Sequence, residues 1–315
     1  MSTFPEYVTV DYESGSSETA AEYPSLESKF AVAAETVRTA LEQYHEPAVM
    51  FTGGKDSTLV AYVVHEVARE GGFDLPPLVF LDHYRHFEET IEFAERWADE
   101  WGFELVVARN EAFADLEPGT EIAVADLPEH TQRELREVLE YDDDAFVFSP
   151  DTLAGNHLLK TVALNETITA RGFDGVFSGI RWDEQDARST ETFFSPRHDA
   201  EKYPPHDRVH PILAFDERAV WDAIWGYVVP DSVTGYPDGH VPVDADDLPD
   251  DLDVLDLPVH PLYFEGYRSL GTKEGSAASD ARAAWIQDVE TTTEREGRAQ
   301  DKEDIMARLR DLGYM

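Results

Sequence analysis

Residues 47–64 read PAVMFTGGKDSTLVAYVV: a short apolar run, a glycine turn and a second apolar stretch. The run Ala48-Val49-Met50-Phe51 has the length and character of a buried strand. It breaks at Thr52-Gly53-Gly54, and Lys55-Asp56-Ser57 then open a helix expected to run to Gly71-Gly72. A strand feeding a glycine turn and then a helix N-terminus is suited to phosphate. Unpaired backbone N–H groups point out of the helix end, the helix dipole favours an anion, and glycine allows close approach. Lys55 adds a full positive charge and Ser57 a hydroxyl. The turn therefore reads as the phosphate cradle of a nucleotide site, with Thr52, Gly53, Gly54, Lys55, Asp56 and Ser57 as its binding residues. It is not a P-loop, which needs a glycine four residues ahead of the Gly-Lys pair; Pro47, Ala48, Val49 and Met50 stand there instead.

Outward from this stretch the chain alternates short apolar strands with amphipathic helices. A helix from about Leu26 to Tyr44 precedes the turn. Leu78 to Leu81 reads as a second strand ending at Asp82, followed by a helix carrying Phe87, Ile91, Ala94, Trp97 and Trp101 up to Gly102. Phe103 to Val107 gives a third strand, Asp174 to Ser178 a fourth and Arg208 to Leu213 a fifth, with a helix over His157 to Arg171 before the fourth. Such alternation predicts an α/β fold, an open, mostly parallel five-stranded sheet with helices on both faces. Residues 1–26 read as a polar segment with a short strand at Tyr7 to Val10, and 27–230 as one α/β domain with a helical insertion near 111–148. Residues 231–315 read as a loop and an arginine-bearing, helical C-terminal tail, with helices near Ala281 to Val289 and from about Asp301.

Composition narrows the function. Sixty-six acidic residues against 25 basic ones give a formal net charge of -41. The acids are scattered rather than gathered in one tail, which suits a halophile's cytosol, where molar salt screens self-repulsion. Broad nucleic-acid binding is disfavoured, because phosphate contacts need basic surface. No stretch approaches the roughly 20 apolar residues that span a bilayer, and the first residues carry neither a basic start nor an apolar signal core. The expectation is a cytoplasmic protein. There is no cysteine, so disulfides, iron–sulfur ligation, thiolate zinc sites and every thiol mechanism are excluded.

In an open parallel sheet, ligands sit at the carboxyl ends of strands where the strand order reverses. Asp82 to His86 and Gly179 to Arg188 follow strands, so Asp82, Gly179, Arg181 and Arg188 join the loop as candidates. Arginines there supply the forked, permanent charge suited to an oxyanion or to a triphosphate losing pyrophosphate. For Arg188 the alternative is a surface ion pair with neighbouring acids. His83, His86, His198, His206 and His210 match no zinc spacing, and no metal residues are assigned. Magnesium would arrive with ATP and use few protein ligands, Asp56 or Asp82 among them. Arg268, Arg295 and Arg298 stand out in a base-poor tail and could close over an anionic site.

The TGGKDS turn resembles the pyrophosphate loop of the N-type ATP pyrophosphatases, the adenine nucleotide alpha-hydrolases. Together with LDHYRHFEETIEFAERW, GIRWDEQDAR, GYRSLGT and TTTEREGR, it resembles the small, ATP-binding subunit of sulfate adenylyltransferase, within the phosphoadenosine phosphosulfate reductase superfamily. The resemblance implies that ATP and a small oxyanion, sulfate, are the substrates, giving adenosine 5′-phosphosulfate and pyrophosphate. It implies Lys55, Arg181 and Arg188 as catalytic residues, ATP with Mg2+ as cofactors and a GTPase large subunit as partner, while self-association into a homo-oligomer stays open. Thr52 stands where that family has Ser, and Thr272-Lys273 follow Gly271 where a cysteine is usual. Reduction of adenylylated sulfate runs through a cysteine in the sister enzymes and is excluded here. Two alternatives remain: another adenylyl transfer such as FMN to FAD, and a non-catalytic ATP-binding regulator.

Overall fold

A computed structural model describes residues 4–117, 119–185, 188–200, 203–230, 240–273 and 275–292. Helix α1 (Leu26–Gln43) starts at Ser25, whose side chain accepts from the Ser28 N–H in a reciprocal cap. Strand β1 (Pro47–Met50) leads through the glycine turn into α2 (Lys55–Gly71), which stops at Gly72 in the left-handed conformation. There follow β2 (Leu78–Leu81), α3 (Glu88–Glu100) and β3 (Leu105–Ala108). An insertion holds β4 (Glu121–Ala123), α4 (Glu129–Arg133) and β5 (Ala145–Val147). Beyond it come α5 (Leu153–Asn156), α6 (Ala163–Arg171), β6 (Gly175–Phe177), β7 (Phe194–Arg197), β8 (His206–Val209) and α7 (Glu217–Ala223).

The main sheet runs in the order β3-β2-β1-β6-β8-β7. Every pairing in it is parallel except β7 with β8. Five parallel strands are present as expected, but the fifth is His206–Val209 rather than 208–213, because the chain turns at Pro211, which has no N–H for the ladder; the sixth, β7, is a further correction. Phe194–Arg197 lies in a stretch whose Pro and His content reads as loop, and Pro196 is tolerated because β7 is an edge strand. Val49, Ala40, Leu59, Val64, Phe93 and Trp221 fill the core on the face carrying α1, α2, α3 and α7. Ala48, Val79, Val106 and Val176 meet Ile168 and Phe173 on the other face. The sheet is thus covered on both sides by the alternation of its strand residues.

Further expectations change. The insertion is only partly helical, since β4 pairs antiparallel with β5 and α4 lies between them. Phe113, Leu135, Leu139, Phe146, Phe148 and Leu158 give this unit its own small core. The helix expected at 157–171 begins earlier, at α5, and continues through His157–Val162 into α6. Residues 7–10 form no strand; instead the N-terminal segment straps across the sheet's lower edge, with the Tyr12 hydroxyl donating to Asp207 at 2.9 Å and that of Tyr7 donating to Asp174 at 2.5 Å. The helix expected near 281–289 is only the single turn Ala284–Ile286. The final helix from about Asp301 lies outside the described residues, as do Arg295 and Arg298. None of the described helices is long and apolar enough to cross a membrane.

Candidate nucleotide site

The chain leaves β1 towards β2 and β3 on one side and later returns to β6 and β8 on the other, so β1 and β6 flank the point where strand order reverses. The glycine turn sits there. Gly53 adopts φ +74, a left-handed conformation that other residues rarely tolerate. Gly54 is the N-cap of α2 and offers no side chain to its first N–H groups. The Lys55 N–H donates to the Tyr263 hydroxyl at 2.8 Å. Those of Asp56 and Ser57 have no hydrogen-bond acceptor among the described residues, which leaves two donors at the positive end of a 17-residue helix. The Ser57 side chain closes the loop on itself. Its Oγ accepts from the Thr52 N–H at 3.1 Å and donates to the Gly54 carbonyl at 2.9 Å.

Lys55 is 3% exposed. Its Nζ lies 3.2 Å from Asp56 Oδ2 and donates to the Arg268 carbonyl at 3.3 Å. From β6, Gly179 brings its backbone against the start of α2: a Cβ there would lie 3.0 Å from the Asp56 carbonyl carbon and 3.2 Å from the Ser57 nitrogen. This contact delivers Arg181, 1% exposed, to the loop. Arg181 pairs through Nη1 with Asp56 Oδ1 and through Nε with Asp183 Oδ1 at 2.9 Å. Asp183 in turn accepts the Glu217 N–H at the start of α7, at 2.9 Å. Glu217 takes both Nε and Nη2 of Arg268, at 3.3 and 2.6 Å, and Arg268 donates to Thr292 Oγ1 at 2.6 Å. One chain of charge-assisted bonds thus runs from the loop to the C-terminal segment, and its buried members are paired on both sides.

Of the sequence candidates, the fold brings together Thr52, Gly53, Gly54, Lys55, Asp56, Ser57, Gly179, Arg181 and Arg268. Asp82 lies at the end of β2 and accepts the Tyr84 N–H at 2.8 Å, with Arg109 and His86 each 3.8 Å away. Arg188 pairs with Glu184 on its own loop. Sequence reasoning did not single out Tyr263, Asp183, Glu217 or Thr292. Asp183 lies inside GIRWDEQDAR, two positions after Arg181, and Tyr263 lies just ahead of GYRSLGT; nothing local marks Glu217. His83 and His86 stack at 3.8 Å, and burial lowers both pKa values, so they are neutral.

A cleft of about 510 Å³ opens beside this network, lined by Arg181, Asp183, Glu184, Glu217, Arg218 and Thr292 among others. A larger groove of about 780 Å³ runs along α6 and the insertion and contains no loop residue. Among the described residues no three His, Cys, Asp or Glu side chains converge as a metal site. Asp56 is already held by two cations, so the donor set does not form a resident magnesium cage.

The phosphoadenosine phosphosulfate reductase domain matches residues 46–232, from β1 to just beyond α7. The sulfate adenylyltransferase subunit 2 of Rhodospirillum rubrum is 27% identical, over 92% of this chain and 99% of its own length. That of Pseudoalteromonas translucida is 25% identical, over 88% and 94%. Among solved structures, Candida glabrata FMN adenylyltransferase in complex with FAD and inorganic pyrophosphate superposes with a TM-score of 0.50 at 14% identity, covering 90% of this chain and 81% of that one. This last likeness concerns the fold alone. With a domain match spanning more than half the chain, this protein belongs to the phosphoadenosine phosphosulfate reductase domain family.

Proposed function

We propose that this chain is the ATP-binding subunit of a sulfate adenylyltransferase, transferring AMP from ATP to sulfate and releasing pyrophosphate. The observation that carries the reading is the start of α2, where the Asp56 and Ser57 N–H groups point out without acceptors among the described residues, beside a buried Lys55. The relatives named sulfate adenylyltransferase subunit 2 support the choice of acceptor.

In the reaction a sulfate oxygen attacks the α phosphorus in line. A new S–O–P link forms, the bond from that phosphorus to the oxygen bridging the β phosphorus breaks, and its electron pair leaves with pyrophosphate. Gly53, Gly54, Lys55 and the helix N–H groups hold the leaving group. Arg181, engaged by Asp56 and Asp183, acts as a positioning residue that fixes Asp56 and hence the loop. Arg188 neutralises charge on the oxyanion, and Arg268, with Arg295 and Arg298, closes the site. Sulfate is fully ionised at neutral pH and needs no general base, so rate acceleration rests on positioning and electrostatics. Magnesium bound to the nucleotide would offset its phosphate charge without a protein cage of its own. A GTPase large subunit is the partner in this reading, and nucleic acid and membrane are not.

The test is pyrophosphate release from Mg-ATP in high KCl, with coupled pyrophosphatase and with sulfate, molybdate, FMN or no acceptor. Release stimulated by sulfate or molybdate supports the proposal. Release with FMN alone moves the activity to FAD synthesis, and ATP binding without release under every acceptor, with a large subunit supplied, makes the chain a regulator.

A further inference from the structure

In a chain with 25 basic residues against 66 acidic ones, one edge of the sheet gathers cations. Arg208 of β8 is level with Val176 of β6, whose side chain joins the α6 core, so Arg208 points to the face of the sheet opposite α2. The antiparallel register sets Ser195 beside Arg208 and Arg197 beside His206 on that same face. His206 and His210 lie two residues either side of Arg208, about 6.6 Å along the strand direction.

Arg208 is partly buried, and its guanidinium makes no hydrogen bond or ion pair among the described residues. Burial, then the charge of Arg197, lowers its pKa to about 10, with Arg188 adding to the repulsion. The carboxylate that opposes this repulsion, Glu191, is shared: it stands 3.8 Å from Arg197 Nη2 and 4.0 Å from His210 Nδ1. His206 and His210 are 3% and 0% exposed. Each turns Nδ1 to a backbone carbonyl, Pro204 at 2.7 Å and Thr192 at 2.9 Å, so that nitrogen carries the hydrogen. The Nε2 of each is buried without a partner among the described residues. Burial keeps both rings neutral, and a bound anion would reverse this by favouring the imidazolium, whose Nε2–H then donates.

An arginine side chain left unpaired by the described residues, with Arg197 close by and two buried imidazoles whose Nε2 atoms have no partner among those residues, is a ready site for an anion. The fork of a guanidinium matches a tetrahedral oxyanion. We propose that Arg208, flanked by Arg197, His206 and His210, forms a binding site for a dianion of the sulfate and phosphate class on the sheet face opposite the glycine loop. The inference concerns binding alone and does not depend on adenylyl transfer.

Equilibrium dialysis of the full chain without nucleotide, at fixed molar KCl, with labelled sulfate and separately phosphate, tests it; ATP binding is measured in parallel. The expected result is saturable binding of one or both anions that persists in Lys55→Ala, and so is distinct from any sulfate held at the glycine loop. Arg208→Gln weakens it by about ten- to hundred-fold, the loss of a hydrogen bond to a charged group, and leaves ATP binding as it was. The preferred anion, sulfate or phosphate, identifies the source. That anion should raise the melting temperature of the wild type but not of Arg208→Gln. The variant itself should melt no lower than the wild type in anion-free buffer, since it removes an unpaired cation. Tighter anion binding at pH 6 than at pH 8 is the signature of histidine protonation. Absence of saturable binding in the wild type, or undiminished binding in both Arg208→Gln and Arg197→Gln, overturns the proposal. Failure to bind ATP with anion binding intact would instead refute the nucleotide reading and leave this site standing.

Discussion

Replacing Gly179 by alanine probes how closely β6 must approach the glycine loop. The added Cβ would sit 3.0 Å from both the carbonyl carbon and the Cβ of Asp56. Carbon atoms prefer a separation of about 3.5 Å or more, so one side must give way by about 0.5 Å. The atoms in contact belong to the first turn of α2 rather than to a flexible side-chain tip. Such overpacking costs about 1–3 kcal/mol. Gly179 does not occupy the left-handed region, so alanine also recovers about 0.4–1 kcal/mol by restricting the unfolded chain. The net loss of stability is therefore about 0–2.6 kcal/mol, tolerable for a domain of this size. The effect on ligand is larger, because the displaced atoms carry the two free N–H groups and the carboxylate that pairs with Lys55 and Arg181. A misplacement of this order costs up to about a hundred-fold in a positioned reaction. Urea unfolding and calorimetric titration with ATP, both in molar KCl, separate the two effects. A Gly179→Ala protein that binds ATP and pyrophosphate as tightly as the wild type would refute the close-approach argument.

Lys55→Ala removes the buried ammonium at the loop and should abolish nucleotide-dependent turnover with the circular dichroism spectrum retained; turnover at the wild-type rate would overturn the loop assignment. The pH dependence has a defined sign. Burial lowers the pKa values of His83, His86, His206, His210 and His260 below the ordinary 6.5. Below pH 6.5 the unfolded chain therefore binds protons that the folded one refuses, and each histidine withdraws up to about 1.4 kcal/mol of stability per pH unit. Melting temperature should fall steeply from pH 6.5 to pH 5, and a flat profile across that window would show that these rings are not held neutral. The net charge of -41 predicts a melting temperature that rises with KCl; full stability in dilute buffer would sink the halophilic reading.

The parts of the molecule legible in the sequence are those whose cause is local. Ala48 to Phe51, Leu78 to Leu81, Leu105 to Ala108 and Gly175 to Phe177 are apolar runs, and burial on both faces requires just that pattern, whereas β8 reads His-Asp-Arg-Val and carries charge into the sheet. The glycine loop is readable because its geometry depends on consecutive residues, with Gly53 supplying the left-handed turn and Lys55 the charge. The edge strand β7 was hidden because one side of it faces no neighbour, so Pro196 and Arg197 fit without an apolar run. The hairpin within the insertion was hidden because strands of three residues carry too little alternation to stand out. What only the tertiary structure decided is who pairs with whom. Arg181 meets Asp56 across 125 residues, and Lys55 meets Tyr263 across 208. These pairings follow from the order of strands, which reverses beside β1 and carries Gly179 against the start of α2. Composition and period report how deeply a residue is buried and on which face. Partners so distant in sequence are chosen by sheet order and by the docking of the C-terminal segment, neither of which leaves a local signal.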